Sequence, residues 1–312
     1  MKYLITGGAG FIGSNIVEEL LKRGEIVKVL DNFSTGQRSN LAEFINHPNL
    51  HIIEGDVRSF HIVRKAFQDV DYVLHQGALS SVPRSINDPI TSNEVNIHGT
   101  LNILEAAKEF NIKRVVFAGS SSVYGENPTL PKDESLALAP VSPYGITKYA
   151  AERYFQVYHK IFELETVVLR YFNVFGPKQD PMSEYSAVIP KFIKLIMNDQ
   201  EPVIYGDGLQ SRDFTFVLNN VHANILACKA SDAAGEVFNI ACGARYTLID
   251  LVNGINDILG KQIEPKFDNN RQGDVKHSLA DISKAQSILK YKVEMDFFTG
   301  LEKTVEYYLK QK

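Results

Sequence analysis

Short β-branched and apolar runs alternate, over roughly the first 170 residues, with stretches whose apolar positions recur every three or four residues. Lys2–Thr6 is the first run. Ile12, Ile16, Val17, Leu20 and Leu21 then fall at helical spacing, and Gly24 supplies a helix stop. Further strand-like runs lie at 25–30, 51–54, 71–75, 114–118 and 166–170, with helical patterns near 59–67, 95–110 and 144–162. Apolar runs joined through helices predict an α/β chain: a doubly wound parallel sheet covered on both faces.

The rhythm breaks after Arg170. Pro177, Pro181, Pro190 and Pro202, with Gly206 and Gly208, mark a loop-rich stretch around one helix at 187–197. A strand at 236–240 and helices at Leu248–Leu259 and 298–309 follow. The pattern predicts a first domain over 1–170, with return segments near 213–240. A smaller mixed α/β substrate-capping domain takes 171–312, interleaved with the first. The helices at 144–162 and 95–110 are apolar on more than one side, which predicts a homodimer packed through them.

Composition narrows the function without naming it. The chain has 312 residues, 22% charged and 44% hydrophobic, with net charge −4. That balance argues against a nucleic-acid partner. Two cysteines, Cys228 and Cys242, do not make a disulfide framework, and the histidines form no metal-ligand pattern. No run reaches the ~18 apolar residues of a membrane span, so the expectation is a cytoplasmic protein with no membrane partner and no metal.

Three groups of residues carry candidate chemistry. Gly7, Gly10 and Gly13 follow the first strand and open the first helix, where a turn without side chains lets backbone approach a pyrophosphate. Asp31 closes the second strand, where a carboxylate accepts from ribose hydroxyls and repels a 2′-phosphate, favouring NAD over NADP. Asp56-Val57 ends the third strand and faces the adenine in this arrangement. Tyr144 and Lys148, four apart on a helix, share one face. A fixed ammonium beside a tyrosine is expected to lower its pKa. Ser120-Ser121-Ser122 stands about two dozen residues upstream.

Taken together, the glycine turn, Ser120 to Gly125, Tyr144-x-x-x-Lys148 and the run from Arg170 to Pro177 resemble the extended short-chain dehydrogenase/reductase family over essentially the whole chain. The resemblance is greatest to its UDP-hexose 4-epimerase branch, through the segments 81–85, 187–191, 206–208, 211–214 and 271–274. It implies a Rossmann domain holding NAD and a cap holding a UDP-sugar. Tyr144 would then be the catalytic base for the sugar 4-hydroxyl, Ser120 would orient that oxygen, and Lys148 would hold the tyrosine anionic and bind the nicotinamide ribose. Further cofactor contacts are implied at Phe11, Ile12, Asn32, Gln76, Ala78 and Asn96. Implied sugar-nucleotide contacts are Arg84, Ser121, Ser122, Asn173, Ala187, Val188, Lys191, Tyr205 and Asp274. Arg212 and Arg271 match positions that grip the diphosphate.

The resemblance also separates reaction classes. Related 4,6-dehydratases carry an acidic pair where Ser121 and Ser122 stand, and related decarboxylases carry a Glu in this stretch. The neutral serines imply epimerisation without elimination. Asn173, where uronate epimerases tend to carry Thr, implies a neutral hexose. Ser278, where epimerases restricted to UDP-glucose and UDP-galactose carry tyrosine, implies room for an N-acetyl group. Competing readings are a UDP-glucuronate 4-epimerase, another nucleotide-sugar oxidoreductase, and a non-catalytic NAD sensor.

Overall fold

The computed structural model describes residues 1–181, 187–269 and 276–311. Seven strands form the central sheet: β1 (Lys2–Thr6), β2 (Ile26–Asp31), β3 (Leu50–Glu54), β4 (Tyr72–His75), β5 (Arg114–Ser120), β6 (Thr166–Tyr171) and β7 (Val237–Ile240). Their order is β7-β6-β5-β4-β1-β2-β3, and every pair is parallel. The order reverses between β1 and β4, which opens a crevice at the carboxyl ends of the strands. All seven residues of β5 and all six of β6 are buried, as expected for strands covered on both faces.

Eight longer helices are used below: α1 (Phe11–Lys22), α2 (Phe60–Phe67), α3 (Gly99–Glu109), α4 (Pro143–Phe162), α5 (Val188–Met197), α6 (Val217–Lys229), α7 (Leu248–Leu259) and α8 (Phe297–Leu309). Two apolar layers flank the sheet. One packs α1, α6 and the later elements, and the other packs α2, α3 and α4. Short strand pairs outside the main sheet join 174–175 to 215–216, 203–205 to 266–268, and 211–212 to 246–247.

Two departures from the sequence pattern have physical causes. The helix expected over 95–110 opens with a π turn, Glu94–His98, before α3. Asn96 lies in that turn, with its side chain tied to the backbone of Leu79. The pattern also missed α6, whose buried face carries Asn219, Asn220 and Asn224 among its apolar residues, so its apolar period is blurred. The expected strand at 236–240 joins the main sheet as β7, against β6.

Helix α4 starts sharply. Ser142 accepts from the Gly145 N–H, Pro143 occupies the first turn, and Glu163 closes the helix in a left-handed conformation. A buried ion pair holds α4 to the sheet: Arg170 on β6 donates to both carboxylate oxygens of Glu152, at 2.9 and 2.7 Å, with Glu152 fully buried. Its remaining nitrogen donates to the Tyr124 hydroxyl at 2.7 Å, which donates to Asn239 Oδ1 on β7 at 2.7 Å. Removing one partner leaves the other charge buried and unpaired. Glu152→Ala is therefore expected to cost about 3–5 kcal/mol of stability. Pairing it with Arg170→Met is expected to recover much of that loss. Urea unfolding of the three proteins measures both.

Candidate active site

The crevice beyond β1 and β4 is a cleft of about 510 Å³. Gly7, Gly10, Phe11, Ile12, Gly13, Asp31, Asn32, Asp56, Val57, Gln76 and Ala78 line one end, and Ser120, Ser121, Ser122, Tyr144, Lys148, Asn173 and Ala187 line the rest. Residues far apart in sequence thus meet where the topology alone places a ligand.

At the nucleotide end the backbone leaves no room for side chains. A Cβ on Gly13 would lie 2.2 Å from the Gly7 carbonyl oxygen. Gly7 has φ +66°, and a Cβ there would meet Gly77 backbone at 2.8 Å. Helix α1 begins at Gly10 without a side-chain cap, so first-turn N–H groups face the cleft. Asp31 binds the turn to β2: one carboxylate oxygen accepts from Ala9 N–H at 2.9 Å, the other from Phe33 N–H at 2.8 Å. Lone pairs remain on each oxygen for hydroxyl donors. Asn32 donates to Asp56 at 2.8 Å. Hydrogen bonds from Arg58 outweigh burial and lower the Asp56 pKa to about 2, so it is an acceptor at neutral pH. A bare turn, a helix N-terminus and an acceptor-only carboxylate fit a dinucleotide lacking a 2′-phosphate.

A hydrogen-bonded chain stiffens the switch point. Gly77 N–H donates to Thr6 Oγ1, which lies 2.6 Å from His75 Nδ1, and His75 Nε2 lies 3.0 Å from Thr100 Oγ1. Thr100 spends its own proton on the Asn96 carbonyl, so it accepts from His75 Nε2–H, and Nδ1 is the bare nitrogen. Burial, aided by Lys148, lowers the His75 pKa to about 3, so the ring is neutral. Asn96 stands behind the cleft and not in its lining. Its amide donates to Leu79 O and Thr147 Oγ1 and accepts from Leu79 N–H. These bonds brace the segment at Leu79 against the helix that carries Tyr144.

Ser120, at the end of β5, donates to Ser122 Oγ at 3.0 Å. The Tyr144 N–H donates to Ser85 Oγ at 3.0 Å, fixing the start of α4. Lys148 donates to the Ala118 carbonyl at 2.8 Å, and its ammonium lies 4.7 Å from the Phe117 ring centroid. The electrostatics differ from the sequence expectation. Tyr144 is raised by burial, with a hydrogen bond to Ser120 acting the other way. Lys148 is itself lowered by burial, from 10.5 to about 7. Desolvation dominates both shifts, and neither includes a contribution from the other member of the pair.

Just past β6, Asn173 has φ +36° and spends both amide hydrogens, on Asp213 O at 3.1 Å and Ser278 Oγ at 3.0 Å. A backbone carbonyl only accepts, so the atom beside it is the amide nitrogen, and Oδ1 is left for the cleft. Ser278 is thus an anchor as well as a small residue. Sequence reasoning gave Asp213 no role. Its buried carboxylate accepts from Cys242, Gly243 and Ala280 N–H at 2.9, 3.1 and 3.2 Å, joining three loops. Burial still dominates and raises its pKa to about 6. Gln179 and Asp180, also unassigned from sequence, line the cleft. The Pro177 turn just before them was the available signal.

Other expected contacts lie outside this lining. Arg84 sits on a short helix (Val82–Asn87), Val188 and Lys191 on α5, and Tyr205 and Arg212 on short strands. Arg212 donates to the carbonyls of Ser211 and Lys276, both at 3.1 Å. Arg271 and Asp274 lie outside the described residues.

Lys148 makes a pH-dependent prediction. Its folded pKa lies below its unfolded one, so the unfolded chain binds more protons between about 7 and 10.5, and stability rises with pH there. The burden is full below about pH 7 and absent above about pH 10.5. Lys148→Met in NAD-stripped protein is expected to melt a few degrees above the parent near pH ~6 and to lose most of that advantage by pH ~10. Thermal unfolding across that range measures the difference.

The comparisons with known proteins agree with this geometry. The model of the NAD dependent epimerase/dehydratase family matches residues 3–241. A UDP-N-acetylglucosamine 4-epimerase from Methanobrevibacter ruminantium M1, solved with UDP-N-acetylmuramic acid, is 44% identical, with TM-score 0.95 over 100% of this chain and 99% of that one. A UDP-glucose 4-epimerase from Thermotoga maritima, solved with UDP-glucose, is 36% identical, with TM-score 0.94 over 100% and 99%. A UDP-glucuronic acid 4-epimerase from Bacillus cereus, solved with UDP-glucuronic acid and NAD, is 33% identical, with TM-score 0.93 over 100% of both chains. With the family model spanning most of its length and solved relatives aligning over the whole of it, the chain belongs to the NAD-dependent epimerase/dehydratase family.

Proposed function

We propose that the protein is a UDP-hexose 4-epimerase that interconverts UDP-GlcNAc and UDP-GalNAc and also accepts UDP-Glc and UDP-Gal. The carrying observation is the neutral wall Ser120-Ser121-Ser122 in one cleft with Tyr144 and Lys148. No acid stands beside Ser120 to expel a leaving group, so the chemistry stops at proton and hydride movement on one carbon.

NAD, when bound, supplies the hydride acceptor and returns the same hydride. Tyr144 takes the 4-hydroxyl proton and gives it back, within a bond network that Ser120 orients. Lys148 holds the nicotinamide ribose and favours the phenolate. Gly7, Gly10 and Gly13 seat the pyrophosphate, Asp31 takes the adenosine ribose, and Arg212 and Arg271 grip the diphosphate. Arginine suits that task through its fixed donor fork.

The sugar assignment rests on Asn173 and Ser278. Asn173 offers the cleft only an acceptor, which suits a hydroxyl or amide N–H and disfavours a carboxylate. The 44% identical UDP-N-acetylglucosamine 4-epimerase supports the same reading. The uronate alternative draws on the 33% identical UDP-glucuronic acid enzyme. NMR of purified protein with UDP-GlcNAc, UDP-Glc and UDP-GlcA decides between them. Ser278→Tyr is expected to lower N-acetylated turnover at least ~10²-fold and to leave UDP-Glc turnover within a few-fold. Ser278→Ala, which keeps the space, is expected to retain N-acetylated turnover within a few-fold. Full N-acetylated turnover in Ser278→Tyr removes the size argument, and preferential UDP-GlcA inversion by the parent removes the neutral-sugar reading.

The dimer belongs to this reading through α4 alone. The monomer buries most of the apolar residues of α3, but leaves Ile146, Val157, Ile161 and Phe162 of α4 exposed by 53%, 44%, 64% and 45%. Tyr158 donates to Glu105 on α3 at 2.6 Å, so the two helices already form a rigid pair. A second copy laid on α4 completes a four-helix contact. Ile161→Glu is expected to convert a dimer to a monomer in light scattering coupled to gel filtration.

A further inference from the structure

Residues 176–180 leave the carboxyl end of the β6 side of the sheet and cross to the other side of the switch point. The crossing is fastened at several points. Asn15 Nδ2 on α1 donates to Pro177 O at 3.1 Å. Lys178 pairs with Glu18 on α1 at 2.7 Å, the two side chains only 11% and 26% exposed. Gln37, in the loop after β2, donates to Asp180 Oδ2 at 3.1 Å. Behind the segment, Tyr308 of α8 donates to Gln179 O.

The Gln37 contact is the informative one. Strands β6 and β2 are separated in the sheet by β5, β4 and β1. A contact between the loops that follow them must pass over the crevice. Gln37 is also tied to the glycine turn, because its N–H donates to Ala9 O at 3.0 Å. Gln179 and Asp180 line the cleft that holds Gly10 to Gly13. The side-chain amide oxygen of Gln179, Oε1, is buried with no hydrogen-bond partner among the described residues. An acceptor there suits a ribose hydroxyl, whereas a pyrophosphate offers no donor. The Asp180 carboxylate is drawn toward Gln37, and Lys178 is spent on Glu18.

We propose that residues 176–180 are a latch over the nucleotide, and that Gln37, Glu18 and Lys178 are the residues that keep NAD from exchanging between turnovers. The proposal rests on the epimerase reading, in which the cofactor is regenerated each cycle and gains nothing by leaving. A latch formed by side chains on both sides of the crevice slows release more than it slows entry, since its contacts close after the nucleotide is seated.

The test reads exchange and not turnover. Protein loaded with labelled NAD is chased with unlabelled NAD, and the label remaining on the protein is followed. The parent is expected to hold its label for hours. Lys178→Met and Gln37→Ala are each expected to release it about threefold to fivefold faster, in line with loss of one partly buried ion pair and of one exposed hydrogen bond. The double variant is expected to combine these effects. Lys22→Ala is the control. Lys22 holds the other oxygen of Glu18 at 2.7 Å, and removing it leaves the Glu18–Lys178 pair in place, so the release rate should stay within twofold of the parent. The exchanged pair Glu18→Lys with Lys178→Glu should restore slow release, which a general loosening of α1 would not do. Release within twofold of the parent in both Lys178→Met and Gln37→Ala overturns the latch. So does a parent that exchanges its label within seconds. A net change in NADH during turnover would instead overturn the epimerase reading, with the exchange comparison still judging the latch.

Discussion

The ion pair between Glu152 and Arg170 is the constraint on which the active-site geometry depends. It lies one turn beyond Lys148 on α4, fully out of water, and joins that helix to β6. Through Tyr124 and Asn239 the same guanidinium reaches the turn after β5 and the edge strand β7. Tyr144, the serine run and the strand that leads to Asn173 are therefore indexed to one planar cation. A hydrophobic contact of equal area would hold these elements together but would permit sliding. A bidentate pair with a third fixed donor does not. Specificity of position is the use of a pair whose desolvation makes it a poor source of stability.

The same trade appears in milder form at Lys148. Burial lowers the pKa of the ammonium and raises that of the Tyr144 phenol, so the isolated protein stores both groups nearer to neutrality than the proposed reaction requires. A site organised this way carries an energetic strain in its folded state that a stabilising substitution would relieve at the expense of function. The neutral His75 fits this arrangement. It stacks on Phe117, the ring beneath Lys148, and its two nitrogens are committed to Thr6 and Thr100. A charged imidazole there would add a second cation to a layer that already holds one.

Legibility in the sequence followed how local each determinant is. Strands β1 to β6, α1 and α4 were readable because apolar period and glycine spacing are properties of consecutive residues. The glycine turn was readable for the same reason, since a Cβ at Gly13 clashes with a residue only six earlier. Helix α6 was not, because its buried asparagines answer to distant partners: Asn224 donates to the Tyr171 hydroxyl and accepts from Gln76. Asp213 was invisible as a knot for the same reason, as its three donors lie 29, 30 and 67 residues away. The electrostatics of Tyr144 were misread because spacing shows which groups are neighbours and says nothing of how deeply they are buried.

This contrast explains how one framework serves several sugars. The nucleotide end is made of backbone, preformed by a turn that tolerates no side chain. The region around Asn173 is made of loops brought together by one buried carboxylate, with Asn173 and Ser278 meeting across 105 residues of sequence. Changing a side chain on such a loop alters the cleft wall without disturbing the sheet or the cofactor turn. Solved relatives with three different UDP-sugars accordingly superimpose on this chain at TM-scores of 0.93 to 0.95 with identities of only 33–44%. The conformation of Asn173 marks the boundary between the two regimes. Its left-handed backbone is set where β6 ends, while the direction of its amide is set by the carbonyl of Asp213 and the hydroxyl of Ser278. In the proposed reaction, the chemistry at C4 depends on the rigid side of that boundary, and the choice of sugar on the assembled one.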